Sequence, residues 1–351
     1  MSVLFAILLF SLLIFVHEFG HFITAKLSGV QVNEFSMFMG PAIWKKQVGE
    51  TLYAIRCIPI GGYCAMEGED EDTDNPRSFQ KAAWWKRLII LLAGSAMNFI
   101  AGVLIMFLVF APDQQLIMPV VTGIEEGCAI AGEHGIQEGD RILEVDGEKI
   151  YVYSDFSMIL SLNPGDVHDL VLERDGEKIV LNDFLMEKRE FDNGDGTTGL
   201  RYGFSFSVVD ATFSGKVAYV WNTCINVVRS VRLSLRMLVT GEASMKDMTG
   251  VVGIVDLMAD TAAQSPTVLA AVMNMLYFGG FIAINLAVMN LLPIPALDGG
   301  RAVCLLITTA VEKVTKKKID PKYEGYLHAA GMLLLLLLMA VITFKDIWNL
   351  F

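Results

Sequence analysis

The chain has 351 residues, of which 54% are hydrophobic, and its mean hydropathy is +0.50. This composition excludes an ordinary soluble protein, whose apolar fraction lies near one half even with glycine included. The formal net charge is −12, and residues 113–260 hold 12 Lys and Arg against 25 Asp and Glu. We therefore expect a membrane protein with an acidic soluble part and no nucleic-acid partner.

The first apolar run, VLFAILLFSLLIFV, lies within residues 1–26. It has no basic segment before it and no small-residue cleavage site behind it, so we predict a retained transmembrane helix. His17, Glu18 and His21 form an H-E-x-x-H motif inside this span. On a helix the two histidines point from one face and can bind one zinc ion, with the glutamate beside the metal-bound water.

Ionisable side chains inside a membrane span are costly unless they bind something. This cost favours a functional metal site over a cluster of hydrogen bonds between helices. A catalytic zinc site needs three protein ligands and water, so the motif leaves one ligand to be found.

Residues 32–66 alternate aromatic and apolar residues with turns, which is typical of short strands. We expect a small sheet at the membrane face, followed by an acidic, solvated loop over residues 67–76. A basic patch at residues 81–87 then precedes a second apolar run, residues 88–110, which is long enough to span a bilayer.

The acidic middle part contains short alternating strands within residues 119–188, with Asp175-Gly176 as a hairpin turn. We expect a compact β-rich module. Residues 214–239 carry apolar positions on one side, which predicts an amphipathic helix lying on the membrane surface or on this module. The five cysteines form no C-x-x-C pair, so neither a disulfide framework nor a cysteine zinc site is indicated. We expect them to be incidental thiols of the core.

A further apolar run, residues 269–292, is broken by two glycines and three asparagines and ends in LPIPALDGG. Asp298 in this segment is the best candidate for the third ligand. We expect it to end the span on the same side as the two histidines, and the two following glycines allow close backbone approach. His134 and His168 in the β-rich module and His328 at the start of the last span, residues 326–349, are poorer candidates. We expect these three histidines to have ordinary surface or interfacial roles. His328 and Cys304 are the next to test.

Basic residues next to the span ends set the expected orientation. They lie within residues 26–87 and 301–322, including Lys316, Lys317 and Lys318. By the positive-inside rule both segments are cytoplasmic, and the acidic module lies outside the cell or in the periplasm.

The HEFGH segment at His17 and the segment NLLPIPALDGG from Asn290 resemble the two signatures of the site-2 protease family. The closest resemblance is to bacterial members that act in regulated intramembrane proteolysis and carry a PDZ domain. IPIGGYCAMEGE at residues 58–69 resembles the family's membrane-dipping β-region, and GSAMNF at residues 94–99 stands where the family has Gly-Pro-x-x-Asn-Phe. The resemblance covers nearly the whole chain.

The resemblance implies an intramembrane zinc metalloprotease that cuts single-span membrane proteins, such as anti-sigma factors or signal-peptide remnants. It implies that His17, His21 and Asp298 bind zinc and that Glu18 is the general base. Asn285 and Asn290 match asparagines linked to substrate handling.

The outer module resembles one PDZ domain. Ser95 in place of proline, the segment at residues 248–254 and the loop GCAIAG depart from the family pattern. These departures leave open whether the PDZ groove binds peptide termini or only gates access.

The expected fold is a mainly α polytopic membrane protein with about four transmembrane helices, a membrane-associated β-region and an inserted extracytoplasmic PDZ-like domain. Its expected parts are a first transmembrane helix (1–31), the β-region with the acidic loop (32–80), a second transmembrane helix (81–111), the PDZ-like domain (112–212), amphipathic helices at the outer membrane surface (213–266), a third transmembrane helix with the LDGG motif (267–300), a basic cytoplasmic loop (301–325) and a fourth transmembrane helix (326–351).

Two other functions are weighed against the protease. A membrane scaffold with a decayed metal site and a PDZ-like domain for partners stays open, and zinc content separates it from the enzyme. A transporter with a broken helix at the bilayer midplane needs an inverted repeat, which the sequence does not show.

Overall fold

The computed structural model describes residues 2–69, 73–128, 130–132, 134–163, 165–192, 197–242, 250–316 and 322–349. The chain divides into two compact units, which we call the membrane unit (residues 1–109 and 227–351) and the sheet unit (residues 110–226). Lys317 and Lys318, part of the expected acidic loop (residues 70–72) and residues 248 and 249 lie outside the described residues.

The described residues form eight α-helices and ten β-strands. The elements are α1 (Ser2–Ser28), β1 (Val32–Val48), β2 (Thr51–Met66), α2 (Trp84–Phe110), β3 (Gln115–Ile124), β4 (Arg141–Val145), β5 (Glu148–Lys149), α3 (Tyr153–Leu162), β6 (Val167–Arg174), β7 (Glu177–Leu185), β8 (Arg189–Asp192), β9 (Thr198–Arg201), β10 (Phe204–Asp210), α4 (Phe213–Thr240), α5 (Val251–Ala263), α6 (Val268–Asn290), α7 (Asp298–Thr315) and α8 (Lys322–Asn349).

Four of these helices are long and apolar enough to cross a membrane, by length and composition. The candidate spans are Leu4–Ser28 in α1, Trp84–Phe110, Val268–Asn290 and Lys322–Asp346 in α8. The prediction of about four transmembrane helices is thereby supported, and the protein is an integral membrane protein.

Close helix packing in the membrane unit depends on glycine. A Cβ atom at Gly20 of α1 would lie 2.5 Å from the carbonyl oxygen of Ala93 in α2. A Cβ at Gly102 of α2 would lie 2.6 Å from Ile284 of α6. Small residues let helix backbones approach closely in membranes, where no water is released to drive association. Gly20 and Gly102 are therefore positions at which neighbouring helices pack closely.

The expected strands between α1 and α2 form an antiparallel hairpin of β1 and β2, joined at Gly49, which has a φ of 61°. One end of the hairpin is buried in a core with α1, α2 and α7, which includes Phe35, Met66, Ile90 and Leu305. Its other end is exposed. The predicted sheet is therefore confirmed, and its buried end lies beside the motif-bearing helix.

The region around Asp298 differs from the expectation of one helix over residues 267–300 and a loop over residues 301–325. α6 ends at Asn290, a turn follows, and Asp298 is the first residue of α7. Pro293 and Pro295 lack the backbone N–H that would continue α6, so the chain reverses before the aspartate. The expected loop is helical as far as Thr315, since its apolar residues Ala302 and Leu305 are buried against the core.

The sheet unit contains an antiparallel sheet with the strand order β10-β3-β4-β6-β7, and β5 pairs with β4. Asp175 and Gly176 form the predicted turn between β6 and β7, both with positive φ. Phe156 of α3 packs edge-on against Phe204 and Phe206 of β10. The expected β-rich module is present, and its assignment as a PDZ domain remains a prediction.

α4 corresponds to the predicted amphipathic helix. Val220, Cys224 and Val231 of the predicted apolar face are buried, whereas Trp221 is exposed. All five cysteines are free. Cys57 is exposed, so it departs from the expectation that the thiols lie in the core.

Candidate metal centre

α1 presents its two motif histidines to one point. His17 and His21 are one helical turn apart, and their Nε2 atoms lie 3.2 Å from each other. Both rings are largely buried. The i, i+4 spacing of the motif therefore brings two imidazole nitrogens to one position, as predicted.

Asp298 supplies a third atom at the same point. Its Oδ2 lies 3.1 Å from His17 Nε2 and 3.3 Å from His21 Nε2. The two glycines that follow it make this approach possible, because a Cβ at Gly299 or Gly300 would lie 2.2 Å from a carbonyl oxygen of the preceding turn. The turn can thus fold back tightly onto the first residues of α7.

α2 forms the wall behind the histidines. His21 Nδ1 lies 2.8 Å from the carbonyl oxygen of Ile90, to which it donates its proton. The amide of Asn98 lies 3.4 Å from His17 Nδ1, and its Oδ1 has no hydrogen-bond partner within the described residues. Rotating this amide by half a turn brings Oδ1 to face Nδ1 as an acceptor. Both rings then carry their proton on Nδ1.

Gly94 of α2 leaves the space that a metal ion would need. A Cβ atom at this position would lie 2.3 Å from His21 Nε2 and 2.8 Å from His17 Nε2. Any side chain here would therefore enter the space around the converging nitrogens.

These three atoms fit a zinc ion in chemistry and in spacing. With Nδ1 protonated, each Nε2 is an acceptor, and the carboxylate oxygen of Asp298 is an acceptor too. Three acceptors about 3 Å apart repel one another unless a cation lies among them. A tetrahedral zinc ion with bonds of roughly 2.0–2.1 Å keeps its ligand atoms about 3.3 Å apart. Among the described residues, these three form the one such group of possible ligands.

Glu18 lies beside the hairpin. Its Cγ is 3.6 Å from the position that a Cβ at Gly62 of β2 would take. Its charge interacts with those of His17, His21 and Asp298. The glutamate is therefore close to the cluster without belonging to the three converging atoms.

The other predicted residues lie elsewhere. The Nδ2 of Asn285 donates to the carbonyl oxygen of Phe281 in its own helix, and neither it nor Asn290 belongs to the ligand cluster. His134 is exposed, as expected. His168 is instead a buried residue of the sheet unit, because both of its ring nitrogens bond to protein atoms there.

Sequence reasoning missed the contribution of α2. Ile90, Gly94 and Asn98 recur every four residues, so they share the helix face that meets the histidines. The segment GSAMNF was noted only for its resemblance, and the spacing of its glycine and asparagine was the available signal.

Comparison with known proteins shows which family the chain resembles over most of its length. The model of peptidase family M50 matches residues 5–338. A provisionally named zinc metalloprotease of Clostridium perfringens is 36% identical over 351 residues, covering 99% of this chain and 98% of the relative. Another from Clostridium acetobutylicum is 34% identical, with 99% and 97% covered. The regulator of sigma-W protease RasP of Bacillus subtilis is 27% identical over 430 residues, with 98% of each chain covered.

Proposed function

The chain belongs to peptidase family M50 and is an intramembrane zinc metalloprotease of the site-2 type, and from this premise we propose its substrate class and its catalytic residues. It hydrolyses a peptide bond within or near the transmembrane helix of a single-span membrane protein. The observation that carries this proposal is the convergence of two histidine nitrogens and one carboxylate oxygen, with both histidines inside a candidate membrane span.

His17, His21 and Asp298 hold the zinc ion. Bound zinc supplies Lewis-acid polarisation of the scissile carbonyl and of the attacking water. Glu18 accepts a proton from that water and passes it to the leaving amide nitrogen. Ile90 and Asn98 orient the two imidazoles through Nδ1, so that each Nε2 faces the metal.

A substrate helix must be unwound locally before its carbonyl groups can be attacked, because they are bonded within the helix. The unwound segment of the substrate binds to the β1–β2 sheet as an added strand. Residues 34–37 pair on both sides, whereas residues 42–48 and 62–66 each pair on one side only within the described part of the chain. Such a one-sided edge can accept an added strand. Asn285 and Asn290 hold freed backbone groups of the substrate.

The cellular setting is proposed from charge. The basic residues beside the span ends support a bacterial inner-membrane protein with its active site towards the cytoplasm and its sheet unit outside. The name of the Bacillus subtilis relative, a regulator of sigma-W, supports a role in regulated intramembrane proteolysis. Anti-sigma factors and signal-peptide remnants are the substrate classes to test. The sheet unit serves as a PDZ-like domain in this arrangement.

Separate substitutions of the base and of a ligand test the residue roles. Glu18→Gln keeps the shape of the side chain but removes the proton acceptor, so the variant should retain zinc while cleavage falls by roughly 10²-fold or more. Asp298→Ala removes a ligand and should lose both zinc and cleavage. The measurements are zinc analysis and cleavage of a panel of single-span proteins, on the same detergent preparations. An Asp298→Ala protein that keeps its zinc and its activity would overturn the ligand set.

A further inference from the structure

The turn that presents Asp298 contains a residue in an unfavourable backbone conformation. Ala296 has a φ of 80°, in the left-handed region that side chains with a Cβ rarely adopt. Within the turn, Ile294 N–H donates to Leu292 and Leu297 N–H donates to Ile294. The N–H of Ala296 takes no part in these bonds, so the turn does not hold this residue by itself.

α8 provides the missing contact. The N–H of Ala296 donates to Nδ1 of His328, at 2.9 Å. His328 is buried, with 8% of its surface exposed, and its Nε2 lies 3.7 Å from Oε1 of Glu324 in the same helix. A carboxylate on the Nε2 side favours the tautomer that carries its proton there, which leaves Nδ1 as the acceptor that Ala296 needs.

A second contact holds the same turn. A Cβ at Gly331, one helical turn after His328, would lie 2.5 Å from Cβ and 2.7 Å from the carbonyl oxygen of Pro295. At the other end of α8, the Oδ2 of Asp346 accepts hydrogen bonds from the N–H groups of Gly250 and Gly253 at the start of α5. α8 is thus held at both ends. Its first turns contact Pro295 and Ala296, which directly precede Leu297 and Asp298.

We propose that His328 is a positioning residue for the metal centre, which holds Ala296 in its left-handed conformation and so directs the Asp298 carboxylate towards the two histidines. The inference rests on the proposed role of Asp298 as a ligand. Groups that orient metal ligands without touching the metal contribute about 10- to 100-fold to metal affinity.

Two polar substitutions separate the position of the acceptor from the mere presence of a polar side chain. Asparagine places its Oδ1 where the Nδ1 of histidine lies, whereas glutamine places its oxygen one bond further out. His328 and Ala296 line a cavity of about 420 Å³, so both smaller side chains can be accommodated. His328→Asn should stay within about threefold of the wild-type zinc affinity, and His328→Gln should lose about tenfold or more.

The test uses the full chain in detergent. The zinc dissociation constant is measured by competition with a chelating dye, the ligand field is followed by the absorption of the Co²⁺-loaded protein, and the unfolding temperature is recorded. His134→Leu, which removes an exposed histidine of the sheet unit, is the control and should match wild type. A merely structural role would lower the unfolding temperature of both variants alike and leave the cobalt spectrum and the zinc affinity of the folded protein unchanged.

Equal zinc affinity in His328→Asn, His328→Gln and wild type would overturn the inference, and so would an equal loss in both variants. Asp298→Ala in the same titration tests the proposed function separately. If Asp298→Ala binds zinc as wild type does, the ligand set fails. If Asp298→Ala loses zinc while His328→Gln keeps it, only the positioning role fails.

Discussion

Each unit of the protein brings a histidine against an aspartate, with different results. In the sheet unit, Nδ1 of His168 lies 2.8 Å from Oδ2 of Asp146, and its Nε2 lies 2.8 Å from the carbonyl oxygen of Gly165. The Asp146 carboxylate also accepts bonds from the N–H of Asp169 and from Asn163. Every polar atom of this pair therefore has a protein partner, and the pair is complete without a ligand.

The metal centre uses the same residue types but leaves them incomplete. The Nδ1 atoms of His17 and His21 face polar groups of α2, and their Nε2 atoms face each other and Asp298. The contrast shows that a histidine beside an aspartate does not by itself indicate a metal site. What indicates one is a set of acceptor atoms that converge without donors between them.

The largest effect is expected at Gly94, which lies directly against the converging nitrogens of the metal centre. In Gly94→Ala the added methyl group would lie 2.3 Å from His21 Nε2, so zinc should be lost and cleavage should fall by at least about 10²-fold. Gly325→Ala in α8, where nothing lies within 4 Å of the added atom, is the matched control. Zinc analysis with a cleavage assay decides, and a Gly94→Ala protein with a full equivalent of zinc would show that the space behind the histidines is not needed.

Removal of the metal should lower the stability of the membrane unit and leave that of the sheet unit unchanged. At free zinc 1,000-fold above its dissociation constant, binding stabilises the folded state by about 4 kcal/mol. Chelation should therefore raise amide hydrogen exchange in α1, α2 and α7, while β4 and β6 of the sheet unit keep their protection. Added zinc should reverse the change. Uniform exchange in both units after chelation would contradict a metal centre confined to the membrane unit.

The smallest effect is expected at the complete pair. His168→Leu leaves the partly buried Asp146 carboxylate without one of its donors, which should lower the free energy of unfolding of the sheet unit by about 1 kcal/mol with zinc content unchanged. Hydrogen exchange of β4 and β6, compared with the control His134→Leu, measures this loss. Reduced zinc in His168→Leu would mean that the two sites are coupled.

The same pair makes stability depend on acid. Burial raises the pKa of Asp146, but the hydrogen bonds from His168, the N–H of Asp169 and Asn163 outweigh burial and bring the pKa below its ordinary value. A carboxyl with a lowered pKa contributes its full stabilisation above its ordinary pKa and loses it as the pH falls through the lowered value. The difference between wild type and His168→Leu should therefore shrink below about pH 4.

The sequence was sufficient for some elements because their cause is local. The i, i+4 spacing of the motif histidines and the cost of charge in a span pointed to His17, Glu18 and His21 without any tertiary information. The turn at Asp175 and Gly176 was equally local. Asp298 lies close to His17 and His21, as expected. It begins α7 and does not end the preceding helix, because the chain reverses at Pro293 and Pro295.

Other features depend on which helices meet, and a single sequence does not fix that. The donor and acceptor groups of α2 act on α1 only because Gly20 permits close approach to Ala93. The contact from His328 to Ala296 joins residues 32 positions apart. His168 was expected in a surface or interfacial role, and its burial follows from the packing of the sheet unit.

The contact at Gly20 also bears on how quickly the protein acquires its metal. With a bare backbone against the carbonyl of Ala93, α1 and α2 pack closely, so part of the entropy of ordering the two imidazoles is lost when these helices pack. Less entropy remains to be lost when an ion binds. Ion entry and dehydration then weigh more in the rate of metal uptake.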